Sequence, residues 1–411
     1  MAGSLITRAL QTHNTARGAF GAPGASSPSV RPTHAPLCRR TRRCPVDVGI
    51  CVGAQISDID YIVLAEDLGY DSVWVADSQM IWSDCYATLA LAAKATNRIK
   101  LGTGVAVAGT RIAPVTASAI ASINQLAPGR VFLGLGTGHT AMRTMGHDQM
   151  PLGEFKAYAR VVRDLLDGKT TRWTHNGQST HVSLMHQGKG YYELEPRIPI
   201  HISGFGPQTQ QWAGAWADSL VLAGCRPAVI AAAAANVRRG AARAGRSLDR
   251  FEISSLVNSI VLDPGESLET ERAIDETGSM VVSGLHYAWE VAREPKRDLS
   301  NAPPIWADVW EEYCDYVERM DVPPGANYLG VHEGHCSWVT AAERRFVTPA
   351  GIKSSHLWGT PEQILGQIEE LERAGLTRLL LLPPVPVQRK VITDFAEKVM
   401  PLMRRRAEAR G

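Results

Sequence analysis

The chain has 411 residues, 45% hydrophobic and 20% charged, with 43 Lys and Arg against 41 Asp and Glu. A net charge of +2 provides no field for nucleic acid, and no apolar run approaches the ~20 residues of a membrane helix. Seven scattered cysteines without CxxC spacing predict reduced thiols and a cytoplasmic protein.

Residues 1–45 differ in kind from the rest. No Asp or Glu precedes Asp47, and Ala, Ser, Gly, Pro and Arg lead into the run Arg39-Arg40-Thr41-Arg42-Arg43. Such a composition buries too little surface to offset its ordering entropy, so a disordered extension is expected. Translation from an upstream start would explain it, and an organelle transit peptide is the other explanation.

From Val46 the pattern becomes regular. Residues 46–52 read as a strand, and 56–68 have helical spacing that stops at Gly69. A second strand over 72–76 leads into Asp77 and a helix over 84–95. The third strand is 99–105 (IKLGTGV), followed by a small-residue helix over 114–127 with Pro114 at its first turn. Strand 130–136 and helix 153–166 come next, then strands 198–203 and 219–223 around a helix at 207–217. A helix over 227–244 precedes the seventh strand, 251–262.

The eighth unit comes late. Thr360 and Gln363 form a capping-box pattern with Pro361 at the first helical position. Ile364, Leu365, Ile368 and Leu371 share one face, and Gly375 ends the helix. Residues 377–382 (TRLLLL) form a strand whose leucine run is apolar on both faces, as a covered strand requires, and a last helix spans 390–404. Eight strands alternating with helices predict a (β/α)8 TIM barrel over 46–408. A long insertion, about 264–355, falls between the seventh and eighth strands, where it would sit over the C-terminal face. A Rossmann sheet fits less well. Gly134-Leu135-Gly136-Thr137-Gly138-His139 does not match GxGxxG, and the first strand is followed only by Gly53.

Two strand ends open into glycines, at 130–139 (RVFLGLGTGH) and 199–206 (PIHISGFG). Glycines there let backbone N–H groups approach a flat or phosphorylated ligand, and helix N-termini favour phosphate. Asp77, at the end of the second strand, is placed to bond a cofactor or relay a proton, or to cap the next helix. His139 puts a titratable imidazole beside the glycine loop, as a proton donor or a hydrogen-bonded spacer. Arg143, one turn on, suits an anionic ligand or a surface ion pair. His332-Glu333-Gly334-His335-Cys336 places Cys where a zincin has its second His, so no metal is expected and a lid segment is the reading. No GxSxG elbow or Walker loop is present.

Several blocks in register then carry a resemblance: 69–107 (GYDSVWVADSQMIW…RIKLGTGVAV), 114–146 with GRVFLGLGTGHTAMRTMG, 199–224 (PIHISGFGPQTQQWAGAWADSLVLAG) and 359–375. Together they resemble the bacterial luciferase-like superfamily, and within it the coenzyme F420-dependent branch typified by methylenetetrahydromethanopterin reductase. The resemblance implies FMN or the 5-deazaflavin F420 at the barrel's C-terminal mouth. It implies a bulge with a non-prolyl cis peptide at Gly104-Val105-Ala106, packed under the ring. Gly136, Thr137, Gly138 and His139 would line the ring and side chain, and Gly204, Phe205 and Gly206 would cradle the phosphate. Many relatives carry His directly after the Asp at position 77, and Ser78 stands there instead; His139 replaces an acidic or polar residue. The expected function is hydride transfer between F420 and a small organic substrate, with Asp77 and His139 catalytic and a homodimer as the assembly. The alternatives are an FMN-dependent monooxygenase using molecular oxygen and a non-catalytic flavin-binding barrel.

Overall fold

The computed structural model describes residues 46–293 and 304–410, so the expected extension over 1–45 lies outside the described residues. Eight parallel strands form the barrel: β1 Asp47–Val52, β2 Ser72–Val75, β3 Lys100–Thr103, β4 Val131–Gly136, β5 Ile200–Ser203, β6 Ser219–Ala223, β7 Glu252–Val261 and β8 Arg378–Leu381. Strand β1 pairs with both β2 and β8, and β7 pairs with β6 and β8, which closes the ring. The expected TIM barrel is therefore present. Its strands are buried almost throughout because one face meets the lumen and the other the helices. Trp74, Phe132, Val221, Leu380 and Leu382 form a cluster separate from the helix-facing core, as alternate residues of barrel strands do.

Local signals explain the helices that surround this ring. Asp84 caps the Cys85–Ala95 helix through the Ala87 N–H at 2.8 Å. Thr360 and Gln363 form the reciprocal capping box of the Pro361–Ala374 helix, which ends at left-handed Gly375. The first helix begins later than its spacing suggests, at Asp60–Asp67, because residues 55–58 turn back on themselves through an Asp58 N–H to Gln55 bond.

Two elements are additions to the sequence reading. A hairpin, Thr171–His175 with Gln178–Val182, turns at Asn176 and Gly177, both at positive φ. Strand His356–Gly359 pairs with the last four residues of β7, which run beyond the part paired with β6 and β8. The insertion is helical, chiefly Glu271–Ala292 and Trp310–Glu318, and has a core of its own around Val281, Leu285, Trp306, Tyr313 and Phe346. Trp82 Nε1 donates to Ser337 Oγ at 2.9 Å, and the Val385 N–H to the Ser337 carbonyl at 2.7 Å, tying the insertion to the barrel. No helix among the described residues is long and apolar enough to cross a membrane.

Candidate functional site

A cavity of about 600 Å³ opens where the strands end, between the barrel mouth and the insertion. Its lining brings together residues 77, 104, 105, 136–139 and 204–206, all of the candidate site residues. The peptide between Gly104 and Val105 is cis, at the position the resemblance implies. Just beyond it, Ala106–Val107 pairs with β4, opposite Leu135 and Gly136. Val105 packs on that strand so closely that a Cβ at Gly136 would lie 2.8 Å from its Cγ2.

The second wall is the turn after β4. Gly138 has φ +85° and caps the short His139–Arg143 helix, a conformation that favours glycine. Thr137 Oγ1 donates to Gln149 Oε1 at 3.0 Å, and the Met150 N–H bonds the Thr137 carbonyl at 3.2 Å. The third wall is the turn from β5 into the Pro207–Trp216 helix. Gln210 Nε2 donates to the Phe205 carbonyl at 2.9 Å, and Asn236 Nδ2 holds Gln210 in turn at 2.6 Å. The helix has no side-chain cap, and a Cβ at Gly206 would meet nothing within 4 Å. An uncapped helix start with open space before it is what an anionic group requires.

Asp77 is almost wholly buried, and its carboxylate is fully engaged. Arg111 Nη1 donates to both oxygens at 2.7 and 2.8 Å, Gln79 Nε2 to one at 2.6 Å, and the Val107 N–H to the other at 3.1 Å. Burial pushes the carboxyl above its ordinary value, and the Arg111 charge and hydrogen bonds hold it back. The residue that caps the next helix is Asp84, so the capping role considered for Asp77 is not the one it has. Asp77 instead fixes residue 107, and with it the segment that begins at Gly104.

His139 lies at the cavity edge, its ring 5.0 Å from Tyr287 and its Nδ1 3.6 Å from Glu290 Oε2. Burial raises the Glu290 carboxyl, but hydrogen bonding to His332 and the nearness of His139 and Arg143 outweigh it, so the net shift is downward. Arg143 itself lines a neighbouring cleft with Glu290 and Trp289. The insertion supplies Tyr287, Val291, His335 and Cys336 to the cavity wall, which places its 332–336 segment over the mouth. Burial pushes the thiol of Cys51 up to about 12 and that of Cys336 to about 11, so both line the cavity as protonated, weakly polar groups.

Sequence reasoning missed Arg111 and Glu290. Nothing local marks Arg111 as the partner of a residue 34 positions away. Glu290 left a trace: it follows His286 by four residues on the stripe of Val282, Leu285 and Trp289, where a carboxylate needs a partner.

Comparisons with known proteins agree with this architecture. A family model described as luciferase-like monooxygenase matches residues 57–378. The chain is 26% identical over 348 residues to 5,10-methylenetetrahydromethanopterin reductase of Archaeoglobus fulgidus, covering 84% of this chain and 95% of that one. It is 24% identical over 361 residues to F420-dependent glucose-6-phosphate dehydrogenase of Kineococcus radiotolerans, covering 84% and 92%. Among solved structures, the coenzyme F420-dependent tetrahydromethanopterin reductase of Methanopyrus kandleri superposes with a TM-score of 0.62 at 21% identity, covering 87% of this chain and 99% of that one.

Proposed function

We propose that this chain, which belongs to the luciferase-like monooxygenase family, is an oxidoreductase that moves hydride between coenzyme F420 and a small organic substrate. The carrying observation is the mouth cavity, where the Gly104–Val107 segment, two glycine turns and an uncapped helix start meet. Likeness over 84% of this chain to an enzyme named for F420 supports the choice of cofactor.

The residues present fit such a group. The cavity lies within the range that holds a cofactor-sized ligand. Open space at Gly206 and the free N–H groups of the helix it precedes suit a phosphate. When bound, a deazaflavin supplies a carbon centre that accepts or donates hydride. The residues of the chain do the remaining work. Gly104 and Val105 would support the ring, and Asp77 holds their segment in place through the Val107 N–H. Tyr287, Val291 and Cys336, on the insertion's side of the cavity, would help exclude water. His139, whose Nδ1 lies 3.6 Å from Glu290 Oε2, holds or delivers the proton that a carbonyl or alcohol oxygen gains or loses as hydride moves. Asp77 is a positioning residue here, because its oxygens are already committed. A cytoplasmic homodimer completes the reading.

Equilibrium binding to the cofactor-free protein tests it. F420 is expected to bind more tightly than FMN, with a deazaflavin spectrum when the protein is purified from a host that makes F420. Preferential FMN binding with oxygen consumption would replace this reading with an FMN-dependent monooxygenase, which the family's description favours.

A further inference from the structure

Hydride transfer leaves unused a knot of imidazoles in the insertion. His286 lies on the Glu271–Ala292 helix, while His332 and His335 follow the Asn327–Val331 helix. One ring nitrogen from each lies within 4.8 Å of the other two. The Nδ1 atoms of His332 and His335 are 3.2 Å apart. Two imidazole nitrogens on one tetrahedral ion lie ~3.3 Å apart, so this pair is already at ligand spacing.

Two of the rings have, on their far sides, the carboxylate partners that metal-bound histidines ordinarily have. His286 Nε2 meets Glu343 Oε1 at 2.7 Å, and His332 Nε2 meets Glu290 Oε1 at 2.9 Å. Glu343 is itself held by Thr340 Oγ1 at 2.9 Å. Each carboxylate fixes its ring's tautomer, leaving the opposite nitrogen as the lone-pair donor. His286 is 1% exposed, and its Nδ1 is buried with no hydrogen-bond partner. His286 thus has a buried ring nitrogen with a lone pair to give, on an imidazole grouped with a pair already at ligand spacing, which is a donor set suited to a cation. The two carboxylates behind the rings also provide the negative charge that a buried dication needs.

We propose that His286, His332 and His335 bind one divalent transition-metal cation of the Zn2+ class through three imidazole nitrogens. An all-nitrogen donor set selects such ions over Mg2+ and Ca2+, which prefer oxygen. The ligands come from two separate stretches of the insertion, so the ion ties the Glu271–Ala292 helix to the segment whose His335 and Cys336 line the cofactor cavity. Such a site departs from the sequence-based expectation of no metal, which judged the HEGHC segment by linear spacing. The third ligand lies 46 residues upstream of His332, by difference of 286 and 332.

The test uses untagged full-length protein, freed of metal with a chelator and of any cofactor, so its outcome is separate from the F420 reading. Titration with Co2+ alone should give a visible ligand-field spectrum saturating at one equivalent per chain. Zn2+ should displace Co2+ and raise the melting temperature, whereas Mg2+ and Ca2+ should do neither. His286→Gln and His332→Gln should each weaken binding on the order of 100-fold or more, while His181→Ala, on the exposed hairpin, should leave it unchanged. Circular dichroism of each metal-free variant checks that it folds. X-ray absorption on the Co2+-loaded parent counts imidazole ligands directly, whatever the variants do. No saturable binding, binding that survives in both folded variants, or fewer than three imidazoles overturns the proposal.

Discussion

At the scale of single residues, the two polar groups at the cavity part company. His139 contacts Tyr287 and the Glu290 carboxylate, and its type titrates near neutrality. Replacing it removes the proposed proton-transfer group without touching the Gly104–Val107 segment or the turn at Gly206. His139→Ala should keep cofactor affinity and lose roughly 10- to 1,000-fold in turnover. Asp77→Asn should behave differently. It removes a charge facing Arg111 and disturbs the acceptor that positions the Val107 N–H. Both cofactor affinity and rate should fall, with a stability loss of roughly 1–3 kcal/mol. Single-turnover hydride transfer and cofactor titration on both variants separate the roles. Full activity in His139→Ala across the pH range would reduce His139 to packing.

At the scale of elements, what the sequence disclosed followed from how local each signal is. The Thr360–Gln363 box, the Gly375 stop and the covered strands are written within a few residues, and they appear where expected. So do the glycine turns after β4 and β5. The hairpin is legible in Asn176-Gly177, which lies in the stretch between the helix pattern over 153–166 and the strand over 198–203. Strand His356–Gly359 was not legible, because its partner among the described residues is the outer end of β7, nearly a hundred residues earlier. The Asp77–Arg111 pair and the Glu290 cluster were hidden for the same reason, since ion pairs across a barrel mouth have no fixed spacing. The turn at Gly206 gives a test at this scale. A Cβ there meets no atom within 4 Å, so Gly206→Val should melt close to the parent. The new side chain would instead stand before an uncapped helix start, where phosphate is expected. Cofactor affinity should drop at least 10-fold while stability changes little. Unaltered affinity in parallel titrations and melts would move the phosphate site elsewhere.

At the scale of the whole molecule, acid sensitivity follows from what the barrel buries. His201 sits against Trp74 and Phe132, and burial drives its pKa well down, helped by the charges of Arg378 and Lys100. Burial likewise takes His356, beside β7, down to about 3. In the unfolded chain both titrate near the ordinary value of about 6.5. The folded state therefore binds fewer protons than the unfolded state below that pH, and stability must rise with pH through the window. The contribution of neutral histidine is complete above pH ~6.5 and erodes at up to ~1.4 kcal/mol per pH unit for each ring as acid is added. Glu66 acts lower on the scale. Burial raises its carboxyl, but the N–H groups of Asn97, Arg98 and Ile99 outweigh that and bring it below its ordinary value. Its contribution is present above the ordinary glutamate range and is lost only as pH falls through the lowered value. Melting temperature, measured in chelating buffer so that no cation intervenes, should thus hold from pH 8 to about 6.5 and then decline before carboxylates begin to protonate. His356→Gln should lower the plateau yet flatten the decline, since one ring no longer has to charge on unfolding. A profile level down to pH 5, or an unchanged slope in that variant, would mean these imidazoles do not set the acid limit.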